Sequence, residues 1–79
     1  MIKEQIKKIM TEVFEIESSL VNDEISQKNT GQWDSLNHLK LIIALEGKIG
    51  VSFKEKEVTQ ITSYKLIKLY LKKMGLKIL

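Results

Sequence analysis

The chain has no cysteine, no proline and no arginine, and its only glycines stand at positions 31, 47, 50 and 75. Without cysteine no disulfide can staple the fold and no thiolate metal site can form. The single histidine, His38, leaves no conventional zinc site either. Without arginine every base is a lysine, which argues against nucleic-acid readout, where bidentate contacts to bases and phosphates favour the guanidinium fork. The longest apolar run, Leu41 to Leu45, is far below the about 20 residues that cross a bilayer as a helix. No secretory leader is evident. Together with the missing cysteines, this leads us to expect a soluble protein of a reducing, cytoplasmic compartment with no membrane span.

What is present amounts to 79 residues, enough for one domain over 1–79 and no second core. A chain this short buries only about 60% of its unfolded surface, so its stability margin is thin. The formal charge is +3 but unevenly placed. Residues 1–34 hold four lysines and seven acids, whereas residues 35–79 hold nine lysines and three acids. A basic half can serve nucleic acid, an anionic membrane surface or an acidic protein partner.

Hydrophobic spacing predicts an all-α protein. In "MIKEQIKKIMTEVFEI", Ile2, Ile6, Ile9, Met10, Val13 and Phe14 recur at helical intervals, which predicts an amphipathic first helix of roughly four turns. "ESSLVNDEISQKNTGQW" has no sustained period and reads as a long surface loop pinned by Leu20, Val21 and Ile25. Loops of that length in small domains are often functional. A second helix is predicted from Asp34 or Ser35 to about Lys48, ended by Gly47 or, better, by Gly50 in a left-handed cap. Its Leu36, Leu39, Leu41, Ile42, Ile43, Ala44 and Leu45 surround it almost completely. A helix apolar on most sides is expected to be packed on most sides, as the central element. "VSFKEKEVTQI" predicts a connection with one short helical turn, anchored by Val51, Phe53, Val58 and Ile61. Thr62 or Ser63 then caps a last helix with Tyr64, Ile67, Tyr70, Leu71 and Met74 inward, Lys65, Lys68 and Lys72 outward, and Gly75 at its end. The expected fold is a small four-helix bundle, three longer helices plus one short one, with a long loop between the first two.

The stretch "GQWDSLNHLKLIIALEGKIG" poses the functional question, because an aspartate and a serine meet at one helix start. If Asp34 is the N-cap, its carboxylate accepts from the N–H of Leu36 or Asn37, and Ser35 becomes the first helical residue with its hydroxyl directed outward. A phosphoester there would sit at the positive pole of the helix. Alternatively Ser35 is itself the cap and Asp34 merely favours the dipole.

Other signals favour plainer readings. Asp34, Ser35 and His38 have the residue types of a hydrolase triad, but positions three apart on one helix seldom align in line, and no Gly-x-Ser-x-Gly elbow is present. His38 is expected to be a solvated or loosely paired side chain, and Trp33 a core or loop anchor. Tyr64, Tyr70 and Phe53 fall at packing positions rather than in the exposed aromatic series of single-strand binders. Lys65, Lys68, Lys72, Lys73 and Lys77 make the last helix basic, either as a solvated face with cations near the helix C-terminus or as a docking face for an acidic partner enzyme or an anionic membrane surface.

"GQWDSLNHLKLIIALEGKIGVSF" resembles the centre of an acyl carrier protein. The family pattern of Asp-Ser-Leu at the second helix, Ala-Leu-Glu near its end and a Gly-Val step beyond stands here as Asp34-Ser35-Leu36, Ala44-Leu45-Glu46 and Gly50-Val51. "QITSYKLIKLYL" is similar to the family's passage into its last helix, and the order of helices agrees over nearly the whole chain. The resemblance implies a carrier rather than an enzyme, modified at Ser35 with 4′-phosphopantetheine drawn from coenzyme A by a phosphopantetheinyl transferase. The arm's thiol then holds acyl or aminoacyl groups as thioesters. By the same resemblance Asp34 helps place the phosphate transfer and Leu36 contacts the transferase. Asn37, His38, Lys40 and Glu46 lie along the helix that faces the enzymes loading and unloading the carrier. Where many members carry acids on that helix, this chain has Glu46 alone beyond Asp34. That points to a specialised biosynthetic pathway rather than general fatty-acid synthesis, with the carrier free-standing and monomeric. The alternative is a small basic helical binding module for nucleic acid or an acidic protein, which would require a basic recognition helix.

Overall fold

The fold follows from four amphipathic segments that share one apolar interior. In the computed structural model, which describes residues 2–78, α1 spans Ile2–Phe14, α2 Ser35–Ile49, α3 Glu55–Gln60 and α4 Tyr64–Lys73. The protein is thus an all-α four-helix bundle with one short helix, as the hydrophobic spacing predicts. Position 1, included in the expected first helix, lies outside the described residues. A single 3-10 turn, Ser18–Leu20, interrupts the long connection between α1 and α2.

The core is one cluster. From α1 it takes Ile6, Ile9, Met10 and Phe14, and from α2 Leu41, Ile42 and Leu45. Tyr64, Ile67 and Leu71 of α4 complete it, with Val21, Ile25, Trp33, Phe53 and Ile61 contributed by the connections. Burying side chains of this size stabilises by about 1.5–3 kcal/mol each before conformational entropy is charged against them. The loop anchors are confirmed at Val21 and Ile25, whereas Leu20 is exposed.

The helix ends obey local chemistry. Ser63 rather than Thr62 caps α4, its Oγ accepting from Leu66 N–H at 3.0 Å. Glu57 Oε1 reaches back to accept from Lys54 N–H at 2.8 Å and so starts α3. Gly50 closes α2 at φ 81°, donating to Glu46 O. Gly75 at φ 92° follows α4, where Gly75 N–H bonds Lys72 O and Leu76 N–H bonds Leu71 O. That pair of bonds is the Schellman arrangement, which calls for a left-handed residue. The same turn ends α1, with Ile16 N–H on Thr11 O, but the left-handed residue is Glu15 at φ 53°.

The loop from residue 15 to 34 is more ordered than its composition suggests. Asn29 ties it internally, its Oδ1 accepting from Ser26 N–H and its Nδ2 donating to Glu24 O. It then pairs with the start of α4 through an isolated antiparallel bridge between Ser26 and Ser63. Gln27 N–H donates to Thr62 O at 2.8 Å and Tyr64 N–H to Ile25 O at 3.3 Å. Among the described residues no helix is long and apolar enough to cross a membrane.

One expectation about α2 is corrected. It is not packed on most sides: Leu36, Leu39 and Ile43 are 63%, 55% and 69% exposed. Positions 38, 41, 42 and 45 face inward, while 36, 39 and 43 recur at intervals of three and four on the opposite side. With four short helices, the core offers α2 only one flank to pack against.

Candidate functional site

The start of α2 is built by its own flanking residues. Asp34 is the N-cap, with an extended backbone (φ −91°, ψ −177°), and its Oδ1 accepts from Asn37 N–H at 2.9 Å. Asn37 in turn donates through Nδ2 to Gln32 O at 2.7 Å, folding the approach chain against the first turn. Ser35 is therefore the first helical residue and not the cap, and it is exposed. Of the two arrangements open from sequence, the geometry selects the one that leaves the serine hydroxyl free of capping duty.

Beneath this first turn lies a polar pair within the core. Trp33, 1% exposed, packs against Phe14 with the rings tilted by 34° and their centroids 4.9 Å apart. Its indole Nε1–H donates to His38 Nδ1 at 2.9 Å. Since an indole can only donate, Nδ1 must be the acceptor, and the proton sits on Nε2, which donates to Val58 O at 2.6 Å. His38 is thus held as one neutral tautomer, joining the chain before α2 to α3. Trp33 and His38 occupy the positions where an apolar staple often clamps a helix start; here a hydrogen bond joins them as well. The expectation of a solvated His38 is corrected: the side chain is 8% exposed. With both ring nitrogens engaged, it offers nothing to a docking partner.

The remaining expected site residues divide in the same way. Leu36 is exposed beside Ser35, and Lys40 is exposed one turn further on. Asn37 is half-buried and holds the cap. Glu46 is half-buried too, its Oε2 accepting from Phe53 N–H at 2.9 Å to fix the turn after α2. The outward face of α2 is instead an apolar stripe, Leu36, Leu39 and Ile43, flanked by Lys40. Leu39 and Ile43 therefore do not line an interior shelter with Ile6, Ile61 and Ile67. They stand on the outer surface, while Ile6, Ile61 and Ile67 are fully buried in the core. The signal that finds this stripe is the separate 36-39-43 series, distinct from the 38-41-42-45 series that packs inward.

The triad reading also ends here, because His38 spends both nitrogens on Trp33 and Val58, leaving none for Ser35. Among the described residues no group of three or more His, Cys, Asp or Glu is placed to hold a metal ion. No protein-family model matches the chain, and no match is found among curated proteins.

Proposed function

We propose that this chain is a carrier protein of the acyl carrier type, bearing a 4′-phosphopantetheine arm on Ser35 and serving a specialised biosynthetic pathway. The observation that carries the reading is the placement of Ser35 as an exposed first helical residue, relieved of capping by Asp34 and bordered by an outward apolar stripe. A serine with no structural task, at the pole of a 15-residue helix, is suited to hold a group rather than to hold the fold.

The residues present fit such an attachment. Ser35 Oγ would form the phosphodiester link. The N–H groups of Ser35 and Leu36, in the first turn of α2, lie where intrahelical partners are lacking and can receive phosphate oxygens. Asp34 keeps Asn37 N–H occupied, so the cap and the modified hydroxyl do not compete. When attached, the arm supplies a mobile thiol that carries an acyl or aminoacyl group between enzymes, raising its effective concentration at each. The absence of cysteine elsewhere in the chain leaves that thiol without an internal competitor.

Leu36, Leu39 and Ile43, with Lys40, form the surface on which a phosphopantetheinyl transferase and the loading enzymes would dock. Contiguous exposed apolar residues on a small chain mark interaction surfaces more often than single ones do. The basic-module alternative rests on the exposed Lys65, Lys72 and Lys73 of α4. It gives no role to Ser35 or to the apolar stripe, so the carrier reading accounts for more of the surface.

The test is intact mass after incubation with coenzyme A and a broad-specificity phosphopantetheinyl transferase. The expected result is a gain of one phosphopantetheine in the native chain and none in Ser35→Ala. Absence of any gain with several transferases, while Ser35→Ala remains folded, would overturn the proposal. Ile43→Lys is expected to slow the modification without changing thermal stability, because its side chain leaves the core untouched.

A further inference from the structure

The long loop carries an apolar side chain that the core does not use. Leu20 ends the 3-10 turn Ser18–Leu20, yet it is 55% exposed where a loop anchor would be buried. With Ile16 and Ile25 it lines a groove of about 310 Å³ that also carries Asn22, Thr30 and Gln32. Only Glu24 among the groove's side chains is charged, although charged residues make up 29% of the chain. Such a lining suits a ligand that is itself uncharged, in which apolar carbon alternates with amide and hydroxyl groups.

The polar groups of the groove retain bonding capacity. Asn22 Oδ1 accepts from Glu24 N–H at 2.8 Å, which leaves the Nδ2 donors. Thr30 Oγ1 donates to Asn29 Oδ1 at 2.9 Å, and its oxygen can still accept. Gln32 is exposed and commits its backbone carbonyl to Asn37, so its side-chain amide remains for a ligand. The frame is set in advance, because Asn29 ties Ser26 to Glu24 and Gln27 N–H holds Thr62 O. A groove whose walls are already ordered loses little freedom when it is filled.

Its position supplies the occupant. Gln32 stands three residues before Ser35, so their Cα atoms are at most about 11 Å apart. The pantetheine arm is longer than that, and its body is neutral: branched methyls and a hydroxyl beyond the phosphate, then two amides, then the thiol. We propose that this groove seats the neutral body of the arm, an inference that rests on the carrier reading of Ser35. Ile16, Leu20 and Ile25 offer apolar contact for the methyls, while Asn22, Thr30 and Gln32 offer partners for the hydroxyl and amides. The seat is separate from Leu36, Leu39 and Ile43, so an idle arm leaves the outward stripe of α2 open. Tethering makes modest affinity sufficient. A short flexible tether holds its end at an effective concentration on the order of millimolar, so a groove with millimolar affinity for free pantetheine is about half filled by the attached arm.

The experiment begins with intact mass, which establishes whether the arm is attached. Amide NMR spectra of the loaded and unmodified chains are then compared, and free pantetheine is titrated into Ser35→Ala. Shifts at Leu20, Asn22, Ile25, Thr30 and Gln32 are expected in the loaded chain, with saturable shifts of the same amides in the titration. Leu20→Glu, a change at an exposed position, is expected to weaken free pantetheine about tenfold. It should also remove the groove shifts from the loaded chain while loading itself proceeds. With the mass gain present, shifts confined to residues 33–38 or running along Leu39 and Ile43 would overturn the seat and leave the carrier reading standing. With no mass gain the carrier reading falls, and the titration alone decides the groove. Saturable shifts at these amides would then uphold a pantetheine site, and a linear or absent response would overturn it.

Discussion

Two helices of this bundle begin with a serine close to the first turn, and they use it in opposite ways. At α4 the serine is the cap: Ser63 Oγ accepts from Leu66 N–H, and its backbone pairs with Ser26 of the distant loop. At α2 the cap is Asp34, and Ser35 stands one position later with its surface exposed. The fastening differs in range as well. The start of α2 is secured mostly by neighbours within a few residues, Gln32, Trp33, Asn37 and His38, with the Val58 carbonyl 20 positions on as a more distant partner. The start of α4 is secured by residues about 40 positions away along the chain, through Ile25, Gln27 and the Asp23–Lys68 pair. Local fastening leaves the outer side of α2 bare, whereas non-local fastening covers the first turn of α4 with the loop. A serine becomes available for chemistry when other groups hold its helix.

The largest effect that tests this contrast is functional. Ser35→Ala is expected to abolish phosphopantetheine loading while leaving the unfolding midpoint unchanged, as read by mass spectrometry and thermal denaturation. The same two measurements on Ser63→Ala should give the reverse, with loading retained and stability lost by about 1 kcal/mol, the ordinary cost of a missing cap. A stability loss in Ser35→Ala as large as that in Ser63→Ala would erase the contrast.

Next in size is His38→Phe. It leaves the Trp33 N–H and the Val58 carbonyl unpaired beneath the first turn of α2, for an expected loss of about 2–3 kcal/mol in urea unfolding. Asp34→Ala should cost about 1 kcal/mol and also slow loading, since Ser35 would then be drawn into the vacant cap. Retention of full loading in that variant would argue that Asp34 does not free the serine.

Smaller still is the effect at the end of α1. Glu15 occupies a left-handed position that Gly75 fills after α4, and Glu15→Gly is expected to stabilise by about 0.5 kcal/mol. The least is the outer tether of α4. Because Lys68 depresses the Asp23 carboxyl, the contribution of this pair is present above the ordinary value of 3.8 and fades as pH falls through the lower folded-state value. Asp23→Asn should flatten only that acid limb, and added salt should do the same.

The range of each interaction decides how legible it was. The helices and the Gly50 cap depend on residues within one or two turns, and the sequence displays them directly. The choice between Asp34 and Ser35 as cap turned on a backbone conformation, which residue types alone leave open. His38 reads as a solvated histidine because its partners include Val58, 20 positions on. The exposure of Leu39 and Ile43 could not be inferred from apolar content alone, since it depends on how many neighbours four short helices can supply. The bridge between Ser26 and Ser63 joins two serines whose types give no pairing signal at all.

The solitary indole has a practical consequence. Trp33 is the only tryptophan of the chain, and it sits in van der Waals surroundings with its N–H bound to an imidazole one turn below Ser35. Excited on the red edge, where the two tyrosines do not absorb, its emission is therefore a built-in optical gauge of the first turn of α2, with no second indole to contribute. Local loosening of the first turn of α2 would redden that emission before the rest of the bundle melts. Fluorescence and helical circular dichroism recorded on one heated sample would then separate fraying of the start of α2 from collapse of the fold.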